Sequence, residues 1–281
     1  MAVEAYYRPT TLEDALDLTA EYTSSIEIIS GGTITMAEIN EGHKFPRYVM
    51  DLRELDLDYA EEGDGYLSLG ATLTMAQVLD QIDEPMLQKA ARHTGGWAVR
   101  NMGTVGGNLF APPPLGDFAV ALLALDADVT IRNRDGDRRI PLSDFYTTSG
   151  EQAINSDELV TEIRIPTVEG QTVYMKYTRS QEPAPSIVTV AVNLQYRDDT
   201  VTDVCICLNG AGSHPMRMRN AEEILLGSEL DEPILNRAAD VAAKTADPPE
   251  DAIASKWYRR KMVRHHVSNA LDQFTNAENK Q

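Results

Sequence analysis

The sequence predicts an α+β protein in three consecutive parts: a small α/β unit over residues 1–56, a central unit with antiparallel strands over residues 57–170, and a C-terminal three-stranded antiparallel sheet with a helix bundle over residues 171–281. Three observations predict it. The first part sets helix-period and short β-type runs around a Gly-Gly turn. The second holds two hairpin signals built on Asp and Gly. The third places three long alternating runs before three helix-period segments, with no internal repeat and no low-complexity linker.

In the first part, Leu12, Ala15, Leu16 and Leu18 form an apolar stripe at helical spacing, and Thr11 with Asp14 three residues on resembles a capping box. Residues 25–29 read as a strand running into Ser30-Gly31-Gly32-Thr33. A helical piece from Met36 to Asn40 and a strand over 48–52 follow. Strand, glycine turn, helix and strand make an anion-binding arrangement, because turn amides and a helix start face the ligand.

In the second part, Leu57 and Tyr59 lead into Gly63-Asp64-Gly65, and Tyr66, Leu67 and Leu69 return as a hairpin. Residues 73–79 and 85–93 read as helical. Next comes Arg100-Asn101-Met102-Gly103-Thr104-Val105-Gly106-Gly107-Asn108, then a short helix through Phe118, Leu122 and Leu123 with Asp117 at its start. Residues 128–132 and 138–142 pair across Asp135-Gly136-Asp137, and 159–165 form a strand stopped by Pro166. In the third part, 172–178, 187–196 and 201–208 are strands, the last two joined at Asp198-Asp199. Helical segments follow at 218–227, 231–245 and 251–273, with Asp247-Pro248-Pro249 between the last two and a polar, frayed end.

The formal charge is −19, from 44 acidic against 25 basic residues spread along the chain. That distribution excludes nucleic-acid binding on electrostatic grounds. It fits an acidic, halophilic surface whose self-repulsion molar KCl would screen, so stability should rise with salt. No apolar run reaches the length of a membrane span. The start, Met1-Ala2-Val3-Glu4, lacks a basic region followed by an apolar core, so a cytoplasmic protein is expected.

The two cysteines, Cys205 and Cys207, fall on one face of a strand, a spacing that suits no comfortable disulfide. Without a CxxC pair, no zinc or iron–sulfur site made by this chain alone is expected. His93 reads as a helix cap, His265 and His266 as surface or interface residues, and Trp97 as a core aromatic. No histidine, His214 included, has a nucleophile–base partner by sequence, so no catalytic side chain is expected.

Each glycine loop alone reads as a tight turn. Together, on two different units, they outline a crevice that a dinucleotide is long enough to span. The GxGxxG pattern of the usual dinucleotide fold is absent. Ser-Gly-Gly-Thr at 30–33, Leu69-Gly70-Ala71-Thr72-Leu73-Thr74, and the Arg100-to-Asn108 segment with Gly116-Asp117 resemble the FAD-binding medium subunit of molybdenum hydroxylases, the group of carbon monoxide and xanthine dehydrogenases. The resemblance spans nearly the whole chain, through Lys176-x-x-Arg179 to Tyr258-Arg259-Arg260.

The resemblance implies that the first two units grip FAD between them. It assigns Ile29, Ser30, Gly31, Gly32, Thr33, Ile34 and Thr35 to the pyrophosphate and ribityl region through their main-chain amides. Thr104, Val105, Gly106, Gly107 and Asn108 form a second cradle. Asp117 would accept hydrogen bonds from cofactor hydroxyls, or alternatively cap the helix that follows it. Val160 would pack beside the flavin, where a core valine is the alternative. Lys176 would place a cation near the ring and tune its potential, the alternative being a solvated strand lysine.

Two departures stand out. Relatives carry a polar or acidic residue at the position of Ile34 and Leu at that of Thr35. The cysteine-rich insertion that holds a [4Fe–4S] cluster in one branch is missing. The function implied is an oxidoreductase subunit, a flavoprotein that transfers electrons from two [2Fe–2S] clusters on a small partner subunit to an external acceptor. The molybdenum cofactor would sit on a large partner subunit. A stand-alone flavin oxidoreductase and an assembly subunit without FAD are the competing readings.

Overall fold

Three sheets follow one another along the chain in a computed structural model that describes residues 3–146, 151–167, 169–198 and 200–278. The first is parallel. β1 (Ala5–Tyr7), α1 (Leu12–Tyr22), β2 (Ile26–Ile29), α2 (Thr35–Asn40) and β3 (Tyr48–Asp51) give a sheet of order β1-β3-β2. The Thr11 hydroxyl accepts the Asp14 amide at 3.1 Å and donates to the Asp14 carboxylate at 2.7 Å. The cap therefore forms, with the carboxylate reaching the hydroxyl. Helix α1 buries Ala15 and Leu16 in a core with Ile26, Met50 and Leu52.

The central sheet is wholly antiparallel. β4 (Ala60–Gly63) and β5 (Tyr66–Gly70) form the first expected hairpin. Helices α3 (Met75–Gln81), α4 (Pro85–Arg92), α5 (Trp97–Arg100), α6 (Val105–Asn108) and α7 (Asp117–Ala124) follow. The second hairpin, β6 (Asp128–Asn133) with β7 (Gly136–Pro141), leads through α8 (Leu142–Phe145) to β8 (Leu159–Pro166). The sheet order is β4-β5-β8-β6-β7. All eight residues of α7 are buried. Its sequence, DFAVALLA, has no polar face because it is enclosed: the next sheet packs on it through Ala191 and Cys207, helix α4 packs on it through Leu87, and Val129 and Ile163 of the central sheet belong to the same core.

The C-terminal sheet has four strands where the sequence predicts three. β9 (Gln171–Thr178), β10 (Ser186–Arg197) and β11 (Thr200–Asn209) are the expected ones. β12 (Met216–Arg217) adds to the edge of β11, and two residues are too few to show a period of two. Helices α9 (Arg219–Leu225), α10 (Glu232–Thr245) and α11 (Lys256–Glu278) cover one face. Asp199 of the expected turn and residues 279–281 lie outside the described residues.

The last helix starts later than its spacing predicts, because 251–255 form a loop. There the Asp251 carboxylate accepts the amides of Ile253 and Ala254 and pairs with Arg259. Arg259 is fully buried and donates onward to the carbonyls of Ser186 and Ile187. The Cys205 and Cys207 sulfurs lie 3.6 Å apart, both free and buried, facing the same way as their spacing requires.

His265 is exposed as expected, but His266 is not a surface residue. Its ring lies 4.5 Å from that of Tyr177, and both its nitrogens are buried with no hydrogen-bond partner among the described residues. Burial, aided by the neighbouring His265, lowers its pKa to about 4. In the unfolded chain it titrates near 6.5. The unfolded state therefore takes up the proton first. The contribution to stability is whole above about pH 6.5 and is lost as pH falls toward about 4. With allowance for the partly exposed ring, on the order of 1–2 kcal/mol is at stake. His266→Leu is expected to flatten the fall in thermal stability between pH 7 and pH 4.5; an unchanged slope would refute it.

Candidate functional site

The two glycine loops meet. A Cβ on Gly31 would overlap the carbonyl oxygen of Met102, so only glycine lets these backbones touch. The Thr104 hydroxyl donates to the Ser30 hydroxyl at 2.9 Å and accepts the Gly107 amide at 3.1 Å. The second loop is itself pinned to the central unit. The Met75 amide donates to the Gly103 carbonyl, Val105 to Leu73, and Gly106 to Ala71, at 2.9, 2.8 and 2.9 Å. A Cβ on Gly106 would stand 2.8 Å from both Cβ and O of Ala71. Gly31 and Gly106 thus serve backbone–backbone packing.

Between the loops opens a cavity of about 880 Å³. Ser30, Gly31, Gly32, Thr33, Ile34, Thr35, Thr104, Gly106, Gly107, Asn108, Asp117, Val160 and Lys176 all line it. Ile29 and Val105 do not; both are buried in the packed interior. The loops offer different chemistry. The amides of Gly31, Gly32, Thr33 and Ile34 donate to no group among the described residues, whereas those of Val105, Gly106, Gly107 and Asn108 are all engaged. Free donors are therefore concentrated in the first loop.

Asp117 stands first in α7, and Asn108 caps that helix in its place: the Asn108 Oδ1 accepts the amides of Phe118 and Ala119 at 3.1 and 3.0 Å. The Asp117 carboxylate faces the other way. Its Oδ1 accepts from the Ser186 and Thr189 hydroxyls at 2.9 and 2.6 Å and from the Asn209 amide at 3.1 Å. Its Oδ2 pairs with Lys176 Nζ at 2.9 Å, both side chains being nearly inaccessible at 5% and 3%. Lys176 also donates to the His93 carbonyl at 2.7 Å. It is a buried cation in the cavity wall, not a solvated strand lysine. Two of its three protons are committed, leaving one for a ligand.

Several lining residues escape the sequence reading. Lys44 pairs with Glu27 at 2.6 Å, and both border the cavity. Gly95 and Gly96, a third Gly-Gly pair visible in the sequence, border it after His93 ends α4. Pro183, Ala184 and Pro185 come from the β9–β10 connection, which Glu182 fastens to His93 Nδ1 at 2.5 Å. Trp97 is no core aromatic: it is 76% exposed, since one-turn α5 runs along the cavity rim and turns it outward.

Residues 1–168 match the FAD binding domain in molybdopterin dehydrogenase, and residues 173–274 match the CO dehydrogenase flavoprotein C-terminal domain. The glyceraldehyde dehydrogenase medium chain of Sulfolobus acidocaldarius is 27% identical over 266 residues, 92% of this chain and 94% of that one. The carbon monoxide dehydrogenase medium chain of Hydrogenophaga pseudoflava is 23% identical over 274 residues, 95% of each. The solved carbon monoxide dehydrogenase from the same organism superposes with a TM-score of 0.90 over 96% of both chains at 23% identity, which shows the same fold. Relatives of this kind are subunits of multi-subunit oxidoreductases. No helix among the described residues is long and apolar enough to cross a membrane. With more than half its length matched to the cofactor domain, the chain belongs to the family of FAD-binding medium subunits of molybdenum hydroxylases.

Proposed function

We infer that this chain holds FAD in the cavity between its glycine loops and passes electrons from partner-chain [2Fe–2S] clusters to an external acceptor. The observation that carries the reading is the run of four amides at Gly31–Ile34 without an acceptor among the described residues, lining one 880 Å³ cavity with a buried lysine that has a proton to spare. Consecutive amides suit a pyrophosphate. The Asn108 Nδ2, which meets no acceptor among the described residues, and the remaining Lys176 proton suit carbonyl or hydroxyl oxygens farther along a dinucleotide.

When bound, FAD supplies the redox chemistry, and the protein supplies position and electrostatics. The Lys176 ammonium sets a positive charge in the wall. Val160 gives an apolar surface there. No side chain need act as acid or base. The two cysteines are both buried in β11 and offer no set of cluster ligands, which is consistent with clusters and a molybdenum cofactor carried by a small and a large partner chain.

The test is reconstitution. The purified chain is expected to take up one FAD and to be reduced by an organic donor only when both partner subunits are added. Absence of flavin uptake, or brisk turnover of NADH by the chain alone, would overturn the assignment.

A further inference from the structure

Arg179 and Tyr258 belong to motifs that the FAD cavity leaves unused. The fold brings them together 79 positions apart, at a second cavity of about 390 Å³ lined by Tyr177, Arg179, Ile187, Ile253, Ser255 and Tyr258. It shares no lining residue with the first cavity.

Its polar groups are donors. The Tyr177 and Tyr258 hydroxyls are 3.0 Å apart, so one proton makes that bond and the other is free to point outward. The Ser255 oxygen accepts the Tyr258 amide at 3.3 Å, and its own proton meets no acceptor among the described residues. Arg179 has no carboxylate partner among the described residues, although the chain carries a formal charge of −19. Asp251, the acid next to this wall in sequence, is committed to Arg259 and to two amides. The same Arg259 grips the Ile187 carbonyl at 2.5 Å, so the wall is held in place.

A lining with a guanidinium and free hydroxyl protons, and no charged acceptor, selects an anion. Arginine matches a carboxylate with two parallel hydrogen bonds. Ile187 and Ile253 add an apolar surface that an inorganic oxyanion would leave unused. We propose that this second cavity binds a small organic acid, with its carboxylate on Arg179 and the hydroxyls and its short apolar body against Ile187 and Ile253. The proposal does not depend on the FAD reading.

Calorimetric titration of the full chain as purified tests it, with benzoate, benzamide and inorganic phosphate as probes. Benzoate is expected to saturate one site and benzamide to show no binding. Arg179 is exposed at a strand end, so Arg179→Met should keep the fold, as thermal melts would verify. That variant should bind benzoate at least about tenfold more weakly, the loss expected for a charge-assisted bidentate contact. Tyr258→Phe should weaken it by a smaller factor. Lack of saturation, equal binding of benzamide, or unchanged affinity in Arg179→Met overturns the site. Phosphate binding without benzoate binding overturns the organic-acid assignment.

Discussion

Asp117→Ala is expected to cost about 3–5 kcal/mol of stability, the usual result of removing one partner from a buried ion pair. Lys176 would be left charged in a wall that is 3% accessible, and Ser186, Thr189 and Asn209 would each lose an acceptor. Denaturant unfolding followed by circular dichroism measures this directly. A loss under about 1 kcal/mol, the worth of one ordinary hydrogen bond, would show that water replaces the carboxylate without strain.

Lys176→Met provides the contrast. It leaves Asp117 with three neutral donors, so the stability loss should be smaller, about 2 kcal/mol. Its second consequence falls on the cofactor. With the cation gone, the flavin midpoint should drop by on the order of 30 mV, which for two electrons is about 1.4 kcal/mol. The neutralising partner Asp117 keeps the effect modest. A midpoint that stays put in a variant with full flavin occupancy would remove Lys176 from the tuning role.

Gly31→Val should weaken FAD binding about ten- to a hundredfold, matching the roughly 1–3 kcal/mol cost of overpacking. The new side chain would push against the Met102 carbonyl and part the two loops, stretching the Thr104–Ser30 bond. The face of the C-terminal sheet that packs with α9, α10 and α11 lies in a separate core, away from the loops, and should keep its structure. Gly65→Ala is the control. Unlike Gly31, Gly65 has positive φ, at +77°, and open space around it, so its replacement strains only a distant turn and flavin retention should be unaffected. Equal flavin binding in Gly31→Val and in the control would separate the cavity from the cofactor.

Local patterns in the sequence specified most elements, because caps, Asp-Gly turns and the two periodicities are short-range signals. Both hairpins and the Thr11 cap are examples. What the sequence hid is tertiary. Nothing near Asp117 announces that its partners come from β9, β10 and β11. Lys176 sits in an ordinary alternating strand, and only the fold seals it. Trp97 and His266 exchange the environments that hydropathy suggests, because a rim and a helix-packing seam decide their exposure. The motif glycines looked alike in sequence. Distances separate Gly31 and Gly106, needed for backbone contact, from Gly107, whose added Cβ would meet only the Thr104 hydroxyl.

Helix α7 carries a consequence for how the chain behaves as a physical object. The two sequence families adjoin near residue 170, yet Tyr174, Ala191, Cys205 and Cys207 from beyond that point share a core with Phe118, Leu122 and Val129 from before it. The boundary of ancestry is therefore not a boundary of cooperativity. Severed there, each piece would present a greasy face to water, so the second and third parts must melt as one unit.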